Sequence, residues 1–142
     1  MGSPEKFCLK WNDFQTNMSS SFGQMREHQN FSDVTLVCDG EQQIEAHKVI
    51  LASSSIFLNN LLKQNKHSHP LLYMRGISTI QLNAVVDFIY HGEVNINQDD
   101  LDAFLNLAEE LQLKGLKSPN VEEKRKKKGQ GPLFHNVTKT KM

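Results

Sequence analysis

Between Phe31 and Phe57 the sequence runs FSDVTLVCDGEQQIEAHKVILASSSIF, and no other stretch narrows the possible folds as much. Its first part alternates. Val34, Leu36 and Cys38 fall on one face of an extended segment, as a half-buried strand requires. Asp39-Gly40 follows, a dipeptide suited to the φ > 0 positions of a tight hairpin turn. Gln43 to Ala46 then returns as a second short strand. At His47-Lys48 alternation gives way to a continuous apolar run, Val49-Ile50-Leu51-Ala52, which predicts a buried helix leading away from the hairpin. Ser53, Ser54 and Ser55 interrupt it and supply N-cap hydroxyls for a further helix beginning near Ile56.

The flanking segments extend this pattern in both directions. Phe7-Cys8-Leu9-Lys10-Trp11 alternates, with Phe7, Leu9 and Trp11 on one face and no strand partner nearby in sequence. Periodicity alone leaves open whether such a strand pairs within its own sheet or with another chain. Asn12 and Gln15 have the spacing of a capping box. Phe14, Met18, Phe22 and Met25 then form one apolar stripe down a helix of about four turns, either core or a helix-to-helix interface. After Phe57, Leu58, Leu61 and Leu62 keep helical spacing to about Lys63, and Gln64 to His69 is a polar loop. Leu71-Leu72-Tyr73-Met74 is an apolar run of strand length, which predicts a parallel strand covered on both faces and reached by a helical crossover. Ser78 and Gln81 form a second capping-box pair ahead of Leu82, Val85, Val86 and Ile89, and Gly92 is placed to end that helix. Glu93 to Ile96 reads as a short extended segment. Asn97 is expected to cap a last helix whose first turn gathers Asp99, Asp100 and Asp102 near the positive end of its dipole. Leu101, Phe104, Leu105, Ala108 and Leu111 are its buried side. The expected architecture is a mixed α/β (α+β) domain: a small mixed sheet flanked by a cluster of short helices.

The order D-V-T-L, a short turn and A-H-K-V-I-L-A-x-S-x-x-F resembles the signature of the BTB (POZ) domain, and the likeness runs from about Phe7 to Leu116. The opening FCLKWNDFQTNM is similar to the N-terminal extension of the Tramtrack-type group of insect transcription regulators. The resemblance implies a dimer in which the first helix packs against its copy and the N-terminal strand is exchanged into the partner's sheet. Carried onto this chain, that interface comprises Phe7, Leu9, Lys10, Trp11, Asn12, Phe14, Met18, Phe22 and Met25. It also implies a charged pocket at the dimer seam, with Asp33 as the acid and Lys48 as the base. Lys48 lacks the guanidinium fork of the Arg found in relatives, so the pairing is expected to be less directional.

Charge divides the chain in two. Residues 1–116 carry 8 basic and 14 acidic side chains, a net of −6, whereas residues 117–142 carry 8 and 2, a net of +6. The expected division is a disordered leader at 1–6, the BTB/POZ domain at 7–116 and a basic tail at 117–142. With its low apolar content, the tail is expected to be disordered. Lys124-Arg125-Lys126-Lys127-Lys128 has the character of a nuclear-import signal. The tail offers no groove-reading element, so sequence-specific DNA binding by this chain is not expected.

Other chemistries lack their residues. The 8 Gly never fall in a phosphate-cradling motif. No apolar run approaches the roughly 18 residues of a membrane span. Cys8 and Cys38 are not spaced for a metal site and are expected to be small buried side chains in a reducing compartment. His67 and His69 lie close together, without Cys or carboxylate companions in sequence. Ser53 to Ser55 follow His47, but capping outweighs a nucleophile. No enzyme activity, cofactor, metal or small-molecule substrate is therefore expected. The expected function is homodimerisation or higher multimerisation in a transcription regulator or chromatin protein of the nucleus. Its partners would be the chain itself, other BTB proteins and transcriptional co-regulators. The alternative is a substrate adaptor for a cullin-based ubiquitin ligase, a role the resemblance also implies.

Overall fold

The computed structural model describes residues 2–116. The chain opens without secondary structure and enters α1 (Phe14–His28), followed by β1 (Val34–Cys38), β2 (Gln43–Ala46), α2 (Lys48–Ser54), α3 (Ile56–Gln64), β3 (Leu71–Met74), α4 (Thr79–His91) and α5 (Gln98–Glu110). The three strands form one sheet in the order β2-β1-β3. β1 and β2 are the expected antiparallel hairpin, with Leu36 opposite Ile44, and β3 runs parallel to β1, with Leu36 opposite Leu72.

All five residues of central β1 are buried. This is more than the half-burial that its alternation suggested. One face packs into the core, and on the other the Thr35 hydroxyl donates to Glu45 at 2.9 Å and lies 2.8 Å from His69 Nε2. Val34, Leu36 and Cys38 join Ile50, Leu51, Leu58, Leu82, Val85, Val86, Phe104, Leu105 and Ala108 in one apolar cluster. Helices α2 to α5 thus share a single core with the sheet.

Local chemistry fixes several of the helix ends. The Ser55 hydroxyl accepts the Leu58 N–H at 3.0 Å and donates to the Leu111 carbonyl, so one buried side chain caps α3 and ties the end of α5 to the α2–α3 junction. The Lys114 N–H donates to the Ser54 carbonyl at 2.8 Å and strengthens the same closure. The capping box of Ser78 and Gln81 is present in both directions, and Gly92 ends α4 at φ 78°.

Other expectations need correction. The Asn12–Gln15 capping box does not form: α1 starts one residue later, behind Asp13 in the left-handed region, with no side-chain cap. In the hairpin turn, positive φ falls on Gly40 and Glu41 rather than on Asp39-Gly40. Asp39 instead holds the next connection, accepting the Gly76 N–H at 3.1 Å while its own N–H donates to Ile77. Asn97 precedes α5 without a side-chain hydrogen bond, and only Asp99 and Asp100 lie in the first turn. Strand β3 is not covered on both faces: Leu72 and Met74 pack on the core, but Leu71 and Tyr73 face outwards. A continuous apolar run does not reveal that a strand lies at a sheet edge. Among α2's apolar residues Val49 is also exposed, because a one-sided helix must turn part of any four-residue run outwards. Cys38 is buried, but Cys8 is exposed, since among the described residues Phe7 to Trp11 pairs with no strand.

Candidate interaction surface

Ahead of α1, and on the helix itself, the chain leaves a run of apolar side chains uncovered. Phe7 is 79% exposed, Leu9 92%, Trp11 57%, Phe14 50% and Phe22 37%, while Met18 and Met25 are half-buried. Lys10 and Asn12 lie among them, also exposed. Trp11 and Phe14 stack edge to face at 5.1 Å between centroids, which joins the leading segment to the helix. The residues of the expected interface are therefore contiguous. The described residues leave Phe7, Leu9, Trp11 and Phe14 at least half exposed.

What holds α1 is polar and tight. Gly23, its one fully buried residue, lies beneath His91 of α4, where an added Cβ would stand 2.8 Å from the ring. Arg26 pairs with Asp87 of α4 and lies 5.8 Å above the Tyr90 ring. Tyr90 is itself part of a closed network: its hydroxyl accepts the His47 N–H at 2.9 Å and meets His47 Nδ1 at 2.7 Å. His47 Nε2 meets the Asn30 carbonyl at 2.6 Å. A carbonyl can only accept, so Nε2 carries the proton, and in the neutral ring Nδ1 accepts from the phenol. Burial is the main cause that pushes the Tyr90 phenol up to about 12, against the opposing His47 hydrogen bond and Arg26 charge. The same burial lowers the Arg26 guanidinium from its usual value. Helix α1 is thus seated on α4 through a few specific contacts, with its apolar stripe left over.

Asp33 and Lys48 are brought together, but not as an ion pair. The Asp33 carboxylate accepts the Lys48 backbone N–H at 2.7 Å and caps α2, whose own N-cap, His47, makes no side-chain capping bond. The Lys48 ammonium donates instead to the carbonyls of His67 and Ser68, at 2.7 and 3.2 Å. The loop so held places His69 Nε2 3.3 Å from Glu45 and 2.8 Å from the Thr35 hydroxyl. His69 therefore has the carboxylate companion that its sequence neighbours lacked. Among the described residues no group of three or more His, Cys, Asp or Glu could hold a metal ion.

Three exposed residues were missed by the sequence reading: Val49 on α2 and Ile56 and Phe57 at the start of α3. No periodic signal could have found them together, because Ser55 is extended and no helical period runs from α2 into α3. Beyond α4, Val94 and Ile96 rest against the core beside a cavity of about 320 Å³ without joining the sheet. The segment Lys124 to Lys128 lies outside the described residues.

A family model described as the BTB/POZ domain matches residues 22–128. The chain belongs to the BTB/POZ family. BTB domains are protein-interaction modules, and the small mixed sheet with five helices is their fold. The Longitudinals lacking protein-like of Drosophila melanogaster is 47% identical over 116 residues, covering 82% of this chain and 91% of that protein. The Broad-complex core protein isoforms of the same organism are 40% identical over 123 residues. That match takes in 87% of this chain but only 17% of the Broad-complex protein. Among solved structures, the BTB domain of zebrafish PATZ1 superposes with a TM-score of 0.68 at 22% identity, covering 77% of this chain and 89% of that one. This last likeness concerns the fold alone.

Proposed function

We propose that this BTB domain homodimerises through its leading segment and α1, and that it serves a transcription regulator or chromatin-associated protein in the nucleus. The observation that carries this reading is the uncovered run Phe7, Leu9, Trp11, Phe14 and Phe22. Residues 7–116 form the interaction domain, and the leading segment is exchanged into the partner's sheet. Its alternation gives it one apolar face and a free backbone, and Val94 and Ile96 offer a second unpaired stretch to receive it. Apolar burial contributes about 25 cal/mol per Å², so a few such side chains supply several kcal/mol against the cost of association. Asp33 and Lys48 contribute a charged pocket at the seam. Partners are further copies, other BTB proteins and transcriptional co-regulators, and Lys124 to Lys128 directs nuclear import. The kinship with the Broad-complex protein supports the regulatory setting. Light-scattering mass on a chain lacking residues 1–11 tests the assembly claim. Smaller assemblies are expected, and an unchanged mass would remove that segment from the interface.

A further inference from the structure

A groove of about 660 Å³ lies between α1, β2 and α4. Three consecutive residues of β2, Gln43, Ile44 and Glu45, form one wall. Side chains alternate between the faces of a strand, so three residues in a row meet a groove only along the strand's edge. The Cys38 N–H donates to the Gln42 carbonyl at 3.1 Å, and Leu36 stands opposite Ile44. Gln42 and Ile44 therefore turn their backbone groups towards β1, whereas those of Gln43 and Glu45 point outwards. The facing wall is α1, with Ser19, Ser20, Gln24 and Glu27, and Asn83 and His91 of α4 complete the lining. Ile44 is the one aliphatic side chain of the groove, so the apolar leading segment finds no match there.

The uncompensated charge of the groove is negative. Arg26, also on its wall, is taken up by Asp87. Glu27 is exposed and, among the described residues, meets no cation. Glu45 adds a second carboxylate, which accepts the Thr35 hydroxyl at 2.9 Å. Outward backbone groups opposite a hydrogen-bonding, acidic wall suit an extended basic peptide, held by its main chain and by its cations.

We propose that this groove is occupied by the basic segment Lys124 to Lys128 of the same chain. Charge favours it: residues 1–116 carry a net of −6 and residues 117–142 a net of +6. Reach allows it. A Cβ added to Gly115 would stand 3.9 Å from Phe88, and His91 of the groove lies three positions further along α4, which makes the two neighbours on the helix surface. Eight residues separate Leu116 from Lys124, and eight extended residues span at most about 27 Å. A short tether also sets an effective concentration in the millimolar range, so even weak contacts keep the segment in place. Once docked, the five cations are not free for nuclear import, and the groove competes with that role. This masking rests on the import reading proposed above; the docking does not.

Amide hydrogen exchange on the full chain at low salt tests the docking. The outward N–H groups of Gln43 and Glu45 are expected to exchange at least about tenfold more slowly in the parent than in a chain combining Lys124→Gln, Arg125→Gln, Lys126→Gln, Lys127→Gln and Lys128→Gln. The Ile44 N–H, turned towards β1, should exchange alike in both. Equal rates at Gln43 and Glu45 overturn the docking. Carbodiimide cross-linking of mixed isotope-labelled and unlabelled chains tests whose segment it is. Links from Lys124, Lys126, Lys127 or Lys128 to Glu27 are expected within chains of one label. Links only between labels, or none to Glu27, overturn the contact within one chain. Glu27→Lys, at an exposed position, is expected to leave melting unchanged and to raise the nuclear fraction of the full chain in cells. An unchanged nuclear fraction overturns the masking. A fraction that the five glutamine substitutions leave unaltered overturns instead the import reading of the segment.

Discussion

The Asp33 carboxylate accepts the backbone N–H of Lys48 at 2.7 Å, while the Lys48 ammonium holds the carbonyls of His67 and Ser68. One acid thus starts a helix, and one base secures the loop that leads into β3. Removing the cap by Asp33→Ala should cost about 1 kcal/mol, within the usual range for helix caps. Asp33→Asn keeps an acceptor oxygen and should lose less. Urea unfolding of the three proteins checks this order.

Lys48→Glu should act on assembly as well as on the loop. It sets a second acid beside Asp33 at the proposed seam, where like charges repel. The dimer should dissociate at higher protein concentration than the parent, as read by sedimentation. Wild-type dimer stability in that variant would remove the charged pocket from the account.

Ser55 serves both α3 and the last turn of α5 with one hydroxyl, and it is fully buried. Ser55→Ala leaves the Leu58 N–H and the Leu111 carbonyl short of a partner. Unsatisfied buried groups cost about 1–3 kcal/mol. A loss of that size in thermal or urea unfolding is expected. A loss below 0.5 kcal/mol would show that the groups find other partners, taking about 0.5 kcal/mol as the scale of an ordinary surface substitution.

Gly23 marks where α1 rests on α4. Gly23→Leu forces bulk against the His91 ring, 2.8 Å from where the first added carbon would sit, and overpacking of this kind costs about 1–3 kcal/mol. His91→Ala in the same chain should recover part of the loss, since the two sites share one contact. A double variant as unstable as the sum of its parts would contradict the contact.

Tyr90 makes a prediction about pH. Its phenol is raised in the folded chain to about 12 from an ordinary value of 10.0, chiefly by burial. Below the ordinary value both states are protonated and the fold keeps its full stability. Above it the unfolded chain loses the proton first, so stability should fall as pH rises from about 10 towards 12. Tyr90→Phe should flatten that fall while lowering stability at neutral pH, because two contacts to His47 are lost.

The sequence made part of the local chemistry legible and left the distant chemistry hidden; the Asn12 and Asn97 caps, also local, do not form. The hairpin, the Ser55 and Ser78 caps and Gly92 were readable because each depends on residues within a few positions. The Asp33 cap on Lys48, the Arg26–Asp87 pair and the Glu45–His69 contact join residues far apart in sequence, where no periodic pattern can announce them. Leu71 to Met74 illustrates a further limit: four apolar residues in a row specify a strand, but not whether it lies at the centre or the edge. The stripe Phe14, Met18, Phe22 and Met25 was visible as a stripe, yet periodicity alone could not say whether its cover came from this chain. The described residues leave Phe14 and Phe22 exposed and the two methionines half-buried.

A second copy is expected to cover that stripe and the segment before it. Sedimentation equilibrium of the full chain over a wide concentration range tests this directly. The expected result is a mass of two chains or more throughout, with Trp11 fluorescence reporting a buried indole. A single-chain mass persisting at high concentration, with Trp11 still open to solvent quenchers, would contradict it.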